Sequence, residues 1–168
     1  TNEHCSKVSG KHSGVDDVSL IGYCMGGVLS SIYAALHQNG PLKNLVCFTT
    51  PIDFTKMELL SRWSDQRYFD VDKLVDSVGI VPASMMLESF SMLRPADRFT
   101  TPIRMFENVL NDEVLIHSRR IVKWSNDQLP LAGEYFRQGV KDLLWENKLL
   151  KGDLRLGGKV ADLRNITI

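Results

Sequence analysis

At 168 residues, with 43% hydrophobic and 24% charged side chains, the chain has the composition of one globular domain with enough apolar material for a core. Twenty basic residues balance twenty acidic ones, so no net field draws it to nucleic acid or to an anionic bilayer. No run approaches the roughly 20 apolar residues of a membrane span, and the start TNEHCSKVSGKHSG has no apolar signal core, which makes a cytoplasmic location the default expectation.

Residues 1–14 are polar and read as a frayed start or the end of a helix. Val18-Ser-Leu-Ile-Gly22 is a short apolar run ending in glycine, and from Gly26 to about His37 the residues Val28, Leu29, Ile32, Ala35 and Leu36 recur at helical spacing. Asn39-Gly40-Pro41 stops that helix. A second buried strand follows over 44–49, with Pro51 ending it. Strand, helix and strand within about 30 residues predict a parallel pair joined by a crossover.

From Asp53 onward the pattern becomes helical, with helices expected over 57–63, 71–78, 84–93, 103–110 and 133–149 and prolines between them. No strand is expected there. Large apolar residues, among them Trp63, Met85, Met86, Phe90, Met92, Phe106, Trp124 and Trp145, suggest an insertion packed over a sheet. Residues 153–161 flank Gly157-Gly158 with strand formers, the signal of a tight hairpin. Leu163 to Ile168 then reads as the start of a core strand, so the chain is expected to be an internal fragment. The division is a partial core over 1–52, a helical cap over 53–150, and a hairpin with the next core strand over 151–168. No repeat or low-complexity segment occurs.

The chemistry concentrates at Gly22-Tyr23-Cys24-Met25-Gly26, a Gly-x-Cys-x-Gly sequence placed between predicted strand and predicted helix. In a nucleophile elbow the strand-to-helix turn holds the nucleophile in a strained backbone, and residues two before and two after must be small because chain segments pass closely there. Gly22 and Gly26 meet that need, and Gly27 adds a further glycine at the helix start. Cys24 would be the nucleophile. The backbone N–H of Met25 would face the oxyanion beside the helix N-terminus. Five residues with two fixed glycines also arise by chance; the strand before and the helix after supply the context that favours the elbow and, with it, an α/β-hydrolase fold. A sulfur nucleophile suits acyl transfer through a thioester.

The other candidates are weaker. Three cysteines without a CxxC pair suggest neither a disulfide framework nor a zinc site. Cys47, mid-strand, reads as core, and Cys5 as incidental. A cysteine nucleophile needs a base oriented by an acid, with chain order nucleophile, acid, histidine. His4 and His12 precede Cys24, His37 lies three turns along the elbow helix, and His117 falls in the insertion, so each reads as surface or packing. The base and acid are expected outside this chain. Asp53 is either a functional carboxylate at a strand end or the cap of the next helix. Arg119-Arg120 and Lys123 read as a solvated face that could meet a coenzyme phosphate. No phosphate loop and no metal-spaced cluster is present in the sequence.

Leu20-Ile-Gly-Tyr-Cys-Met-Gly-Gly followed by Phe48-Thr-Thr-Pro-Ile-Asp-Phe resembles the polyhydroxyalkanoate synthases. The resemblance continues through Val81-Pro-Ala-Ser-Met-Met-Leu-Glu-Ser-Phe, Met92-Leu-Arg-Pro, Gly133-Glu-Tyr-Phe-Arg-Gln, Asn147-Lys-Leu-Leu-Lys-Gly and Gly157-Gly-Lys-Val-Ala-Asp-Leu-Arg-Asn-Ile-Thr, covering about residues 15–168. It is nearest to the class III and IV members that work with a second subunit. The resemblance implies an acyltransferase polymerising 3-hydroxyacyl-CoA with release of CoA, the matching Cys24 carrying the growing polyester as a thioester. It further implies no cofactor beyond the coenzyme A of the substrate, a homodimer with a second synthase subunit, a cap covering the active-site entrance, and a location at polyester granules. A thioesterase or depolymerase on the same fold, and a binding module in which Cys24 is merely a small turn residue, are the alternatives.

Overall fold

A computed structural model describes residues 4, 8–9, 11–12, 14, 17–93 and 95–168, so Cys5 lies outside the described residues. In chain order the elements are β1 (Val18–Tyr23), α1 (Met25–Leu36), β2 (Leu42–Phe48), α2 (Glu58–Trp63), α3 (Val71–Val78), β3 (Ile80–Val81), α4 (Ala83–Leu93), α5 (Asp97–Glu107), α6 (Asp112–Asn126), β4 (Leu131–Ala132), α7 (Gly133–Gln138), α8 (Lys148–Lys151), β5 (Arg155–Leu156) and β6 (Lys159–Val160). Short 3-10 turns at Phe54–Lys56 and Leu163–Asn165 and a π-helix at Gly139–Trp145 complete them. The chain divides into two compact units, one made of 1–69 with 139–168, the other of 70–138.

In the first unit β1 and β2 pair in parallel, with Leu20 opposite Leu45, Gly22 opposite Cys47 and Tyr23 opposite Phe48, as the strand-helix-strand pattern predicts. Helix α1 forms because Val28, Ile32 and Ala35 recur at four and three residues and bury one stripe. That stripe packs with Phe54, Leu143, Leu149, Leu154 and Ala161 into one core, while Tyr33, Ala34 and Leu42 form a second cluster against Leu20, Leu45 and Ile166. The helix ends where the His37 N–H closes onto the Tyr33 carbonyl at 3.0 Å, before Asn39-Gly40-Pro41.

Leu20, Gly22, Leu45 and Cys47 alternate onto the face that α1 covers. Ile21, Tyr23, Val46 and Phe48 point to the other face and are exposed. Cys47 departs from the expected core position: it is exposed, with its Sγ 3.7 Å from Ser31 Oγ on α1. The reason is the sheet's width. With two strands, every position of β2 stands at a sheet edge, and a periodicity argument that treats a strand as central overestimates its burial.

The hairpin expected at Gly157-Gly158 is present, β5 pairing antiparallel with β6. Both glycines have positive φ, 56° and 80°, the backbone a two-residue turn of this hand requires. The strand expected after Leu163 is instead a single 3-10 turn, because Asp162 accepts from the Arg164 N–H at 2.9 Å and curls the chain; Ile166 still reaches both apolar clusters.

The second unit is helical with one antiparallel pair, β3 with β4, which the sequence reading did not anticipate. Each of those strands has two residues, too short for a period-2 pattern to register. Asp70 caps α3, accepting from the Lys73 N–H at 2.9 Å, and Gly79 ends it. Arg137 on α7 holds α3 by pairing with Asp72 and Asp76, one turn apart. Helix α5 begins six residues earlier than expected and runs through Pro102, forfeiting one backbone hydrogen bond there. Helix α6 was missed, although Asn111 caps it by accepting from the Val114 N–H at 3.2 Å and Asp112 and Glu113 fill its first turn. The helix expected over 133–149 is broken into α7, the π-helix and α8, with Asn147 left-handed between the last two. Phe90, Met92, Phe106 and Trp124, expected to be packed, are exposed.

The core of the first unit rests on a few fully buried side chains, of which Leu149 is 1% exposed. Leu149→Ala should lower the unfolding free energy by about 2–5 kcal/mol, measured as a lower urea midpoint with an unchanged denaturant slope.

Candidate active site

Cys24 stands between β1 and α1 with φ 52° and ψ −120°, a conformation that L-residues adopt at a cost on the order of 1–3 kcal/mol. Three contacts hold it there. Its N–H donates to the Phe48 carbonyl of β2 at 2.9 Å, and its own carbonyl accepts from the N–H groups of Gly27 at 3.0 Å and Val28 at 3.3 Å. The side chain is exposed.

The glycines divide differently from the sequence expectation. A Cβ on Gly22 would sit 2.4 Å from the Gly27 Cα and 2.6 Å from its nitrogen, so backbone meets backbone at the elbow. A Cβ on Gly27 would come within 1.8 Å of Thr50 Oγ1. On Gly26 it would meet nothing within 4 Å. The small residue that the crossing demands is thus three places after the cysteine, because one helical turn brings position 27, not position 26, back over the strand. Met25 opens α1, so its N–H has no carbonyl within the helix to donate to and lies at the positive end of the helix dipole.

Two residues that the sequence reading passed over adjoin this turn or brace the chain leading from it. Thr49, immediately after β2, has φ 46° and is exposed; nothing about a threonine announces such a backbone in advance. Asn147 is buried and left-handed, its Oδ1 accepting from the Phe54 N–H at 3.4 Å and its Nδ2 donating to Asp53 Oδ1 at 2.9 Å.

Asp53 therefore resolves as a cap. It accepts from the Thr55 N–H at 3.1 Å, from Thr55 Oγ1 at 2.6 Å and from Asn147. The Thr55 hydroxyl first, and then the Thr55 and Asn147 N–H groups, hold its carboxyl below the usual carboxylate range against a partial loss of hydration.

Among the described residues no histidine hydrogen-bonds Cys24. His37 closes the far end of α1, about 18 Å along the helix from the turn by helical rise; its Nδ1 lies 3.0 Å from the Tyr33 carbonyl and its ring stacks on Tyr33 at 4.4 Å. His4, His12 and His117 are exposed, the last on α6 of the second unit. Arg119, Arg120 and Lys123 are likewise exposed on α6. No group of three or more His, Cys, Asp and Glu side chains able to hold a metal occurs among the described residues. No described helix is long and apolar enough to cross a membrane.

A parallel strand pair, an intervening helix and a strained residue on the turn between the first strand and that helix are the nucleophile-elbow unit. Residues 4–144 match the family model of the α/β hydrolase fold, and the chain belongs to that family. Within it the chain is similar to poly(3-hydroxyalkanoate) polymerase subunits PhaC. It is 33% identical over 166 residues to that of Haloferax mediterranei, covering 98% of this chain and 34% of the relative. It is 38% identical over 156 residues to that of Allochromatium vinosum, covering 92% of this chain and 43% of the relative. For Synechocystis the figures are 31% over 171 residues, 98% and 45%. The chain thus spans well under half the length of these relatives.

Two outcomes follow from the geometry. Gly22→Ala forces backbone apart and should destabilise by about 1–3 kcal/mol with no rescuing partner, whereas the comparable loss in Gly27→Ala should be recovered in part by adding Thr50→Gly, read by thermal unfolding of the single and double variants. Because Asp53 is held low when folded, its ionisation stabilises the fold above the unfolded carboxyl value near 3.9, and that contribution disappears as pH falls through the lower folded value. The stability gap between wild type and Asp53→Asn should therefore narrow as pH drops below about 4, in urea titrations run at stepped pH.

Proposed function

We propose that this chain is the nucleophile-bearing part of an acyltransferase that polymerises 3-hydroxyacyl-CoA into polyhydroxyalkanoate and releases CoA. The observation that carries this reading is the placement of Cys24: an exposed thiol on the strained turn, in a chain similar to polymerase subunits over nearly its whole length. Sγ attacks the thioester carbonyl. The developing oxyanion is met by the Met25 N–H at the head of α1. The acyl group then rests on sulfur as a thioester, which stays reactive to the hydroxyl of a second acyl unit. The base and acid that drive these steps come from outside the described residues. A second synthase subunit, self-association, and a place in the cytoplasm at the surface of polyester granules belong to the same reading.

In the full-length protein, Cys24→Ala should reduce CoA release from 3-hydroxybutyryl-CoA by about a thousandfold or more, and the wild type should yield polyester together with an acyl adduct on Cys24 seen by mass spectrometry. Free 3-hydroxybutyrate in place of polyester would identify a hydrolase. An unlabelled Cys24 with undiminished activity in the alanine variant would sink the nucleophile assignment.

A further inference from the structure

Three non-glycine residues among those described have positive φ: Cys24, Thr49 and Asn147. Two of the three have an evident reason. Cys24 is the elbow itself, and Asn147 belongs to a residue type that tolerates the left-handed region and makes two hydrogen bonds from it. Thr49 is the exception. A β-branched side chain at φ 46° is disfavoured by about 1–2 kcal/mol, and its hydroxyl makes no hydrogen bond among the described residues to offset the penalty.

Its neighbours show how that conformation is imposed and where it puts the residue. The Phe48 carbonyl, one residue before, accepts both the Cys24 N–H at 2.9 Å and Thr50 Oγ1 at 3.2 Å. The Thr50 side chain, one residue after, fills the space beside Gly27. Thr49 is thereby fixed between two anchors that both belong to the elbow. Since Tyr23 is opposite Phe48, Thr49 is level with Cys24 on the adjoining strand, about 5 Å away at the spacing of paired strands. Strained backbone persists where surrounding structure overdetermines it, and such places cluster at sites that position ligands. The carboxyl ends of neighbouring parallel strands are also where ligands bind in open α/β sheets.

We propose that Thr49 is a specificity residue of this site, its hydroxyl hydrogen-bonding the 3-oxygen of the acyl group carried by Cys24; the proposal rests on the acyl-transfer reading above. In the acylation step the bond between Cys24 Sγ and the carbonyl carbon forms as the bond from that carbon to the coenzyme sulfur breaks. The thiol proton ends on the coenzyme sulfur, and the 3-oxygen keeps its bonds throughout. That oxygen lies two carbons beyond the carbonyl, a distance from Sγ comparable to the spacing of the two strands. A donor at Thr49 therefore distinguishes a 3-hydroxyacyl group from a plain acyl group at the moment of loading. A site hydroxyl left unpaired by an analogue lacking the oxygen is the physical source of the discrimination.

The test is single-turnover acylation of Cys24 in the full-length protein, followed by intact mass and by CoA release, with 3-hydroxybutyryl-CoA and with butyryl-CoA. Thr49→Val keeps the shape and the backbone restriction and removes the hydroxyl; Thr49→Ser keeps the hydroxyl. The wild type and the serine variant should load the hydroxylated ester faster than the plain one. The valine variant should lose about tenfold of that preference through slower loading of 3-hydroxybutyryl-CoA alone, with iodoacetamide alkylation of Cys24 unchanged in both variants. An unchanged preference in the valine variant, an equal slowing on both esters, or a parallel drop in alkylation overturns the assignment. No adduct from either ester in the wild type overturns the acyl-transfer reading itself, and this proposal with it.

Discussion

Everything at the candidate site depends on one close crossing, where the backbone of β1 at Gly22 passes under the backbone of α1 at Gly27 with no room for a side chain between them. Because strand and helix approach so closely, the chain has to reverse within the residues between, and the reversal forces Cys24 to positive φ. The strain is held by backbone hydrogen bonds alone: one to Phe48 on the neighbouring strand, two back from the first turn of the helix. Position of the sulfur is therefore a property of main-chain geometry, and the identity of most surrounding side chains is secondary to it.

A second constraint works at longer range. Asn147 and Asp53 meet across 94 positions of sequence, and Trp145 Nε1 donates to the Ser64 carbonyl nearby. These bonds gather the start and the end of a long excursion onto the same core that supports α1, with Phe54, Leu143 and Leu149 on the apolar side of the junction. Residues 70–138 leave and return between those ends, forming a unit with its own buried valines and its own clamp from Arg137 to α3. A long insertion of this kind adds little closure entropy for each further residue once its ends are pinned.

Sequence reading served best where one residue type has one structural meaning. The elbow, the parallel pair and the Gly-Gly hairpin all depend on glycine at a close approach or a positive φ, or on an uninterrupted apolar run, and all were visible. It served poorly where structure is decided by neighbours distant in sequence. Helix α6 has a cap and an acidic first turn, but its exposed Ile116, Ile121, Val122 and Trp124 blur the amphipathic pattern. Pro102 was read as a stop although a helix tolerates one at the loss of a bond. Cys47 has the surroundings of a core residue in sequence and an exposed edge in space. Thr49 and Asn147 carry backbone conformations imposed by contacts, and nothing in a single sequence records those.

The π-helix from Gly139 to Trp145 has a bearing on how this chain can change over time. Its Glu146 N–H reaches back five residues to the Lys141 carbonyl, so this stretch holds one more residue per turn than an α-helix would. Deleting any one of those residues would relax the turn to ordinary pitch, shorten the rise and swing whatever follows by about 100° around the axis. Asn147 would then point away from Asp53. The length of this segment is thus locked by a pairing outside it: substitutions can accumulate there, whereas a single-residue deletion carries the full penalty of unfastening the base of the insertion.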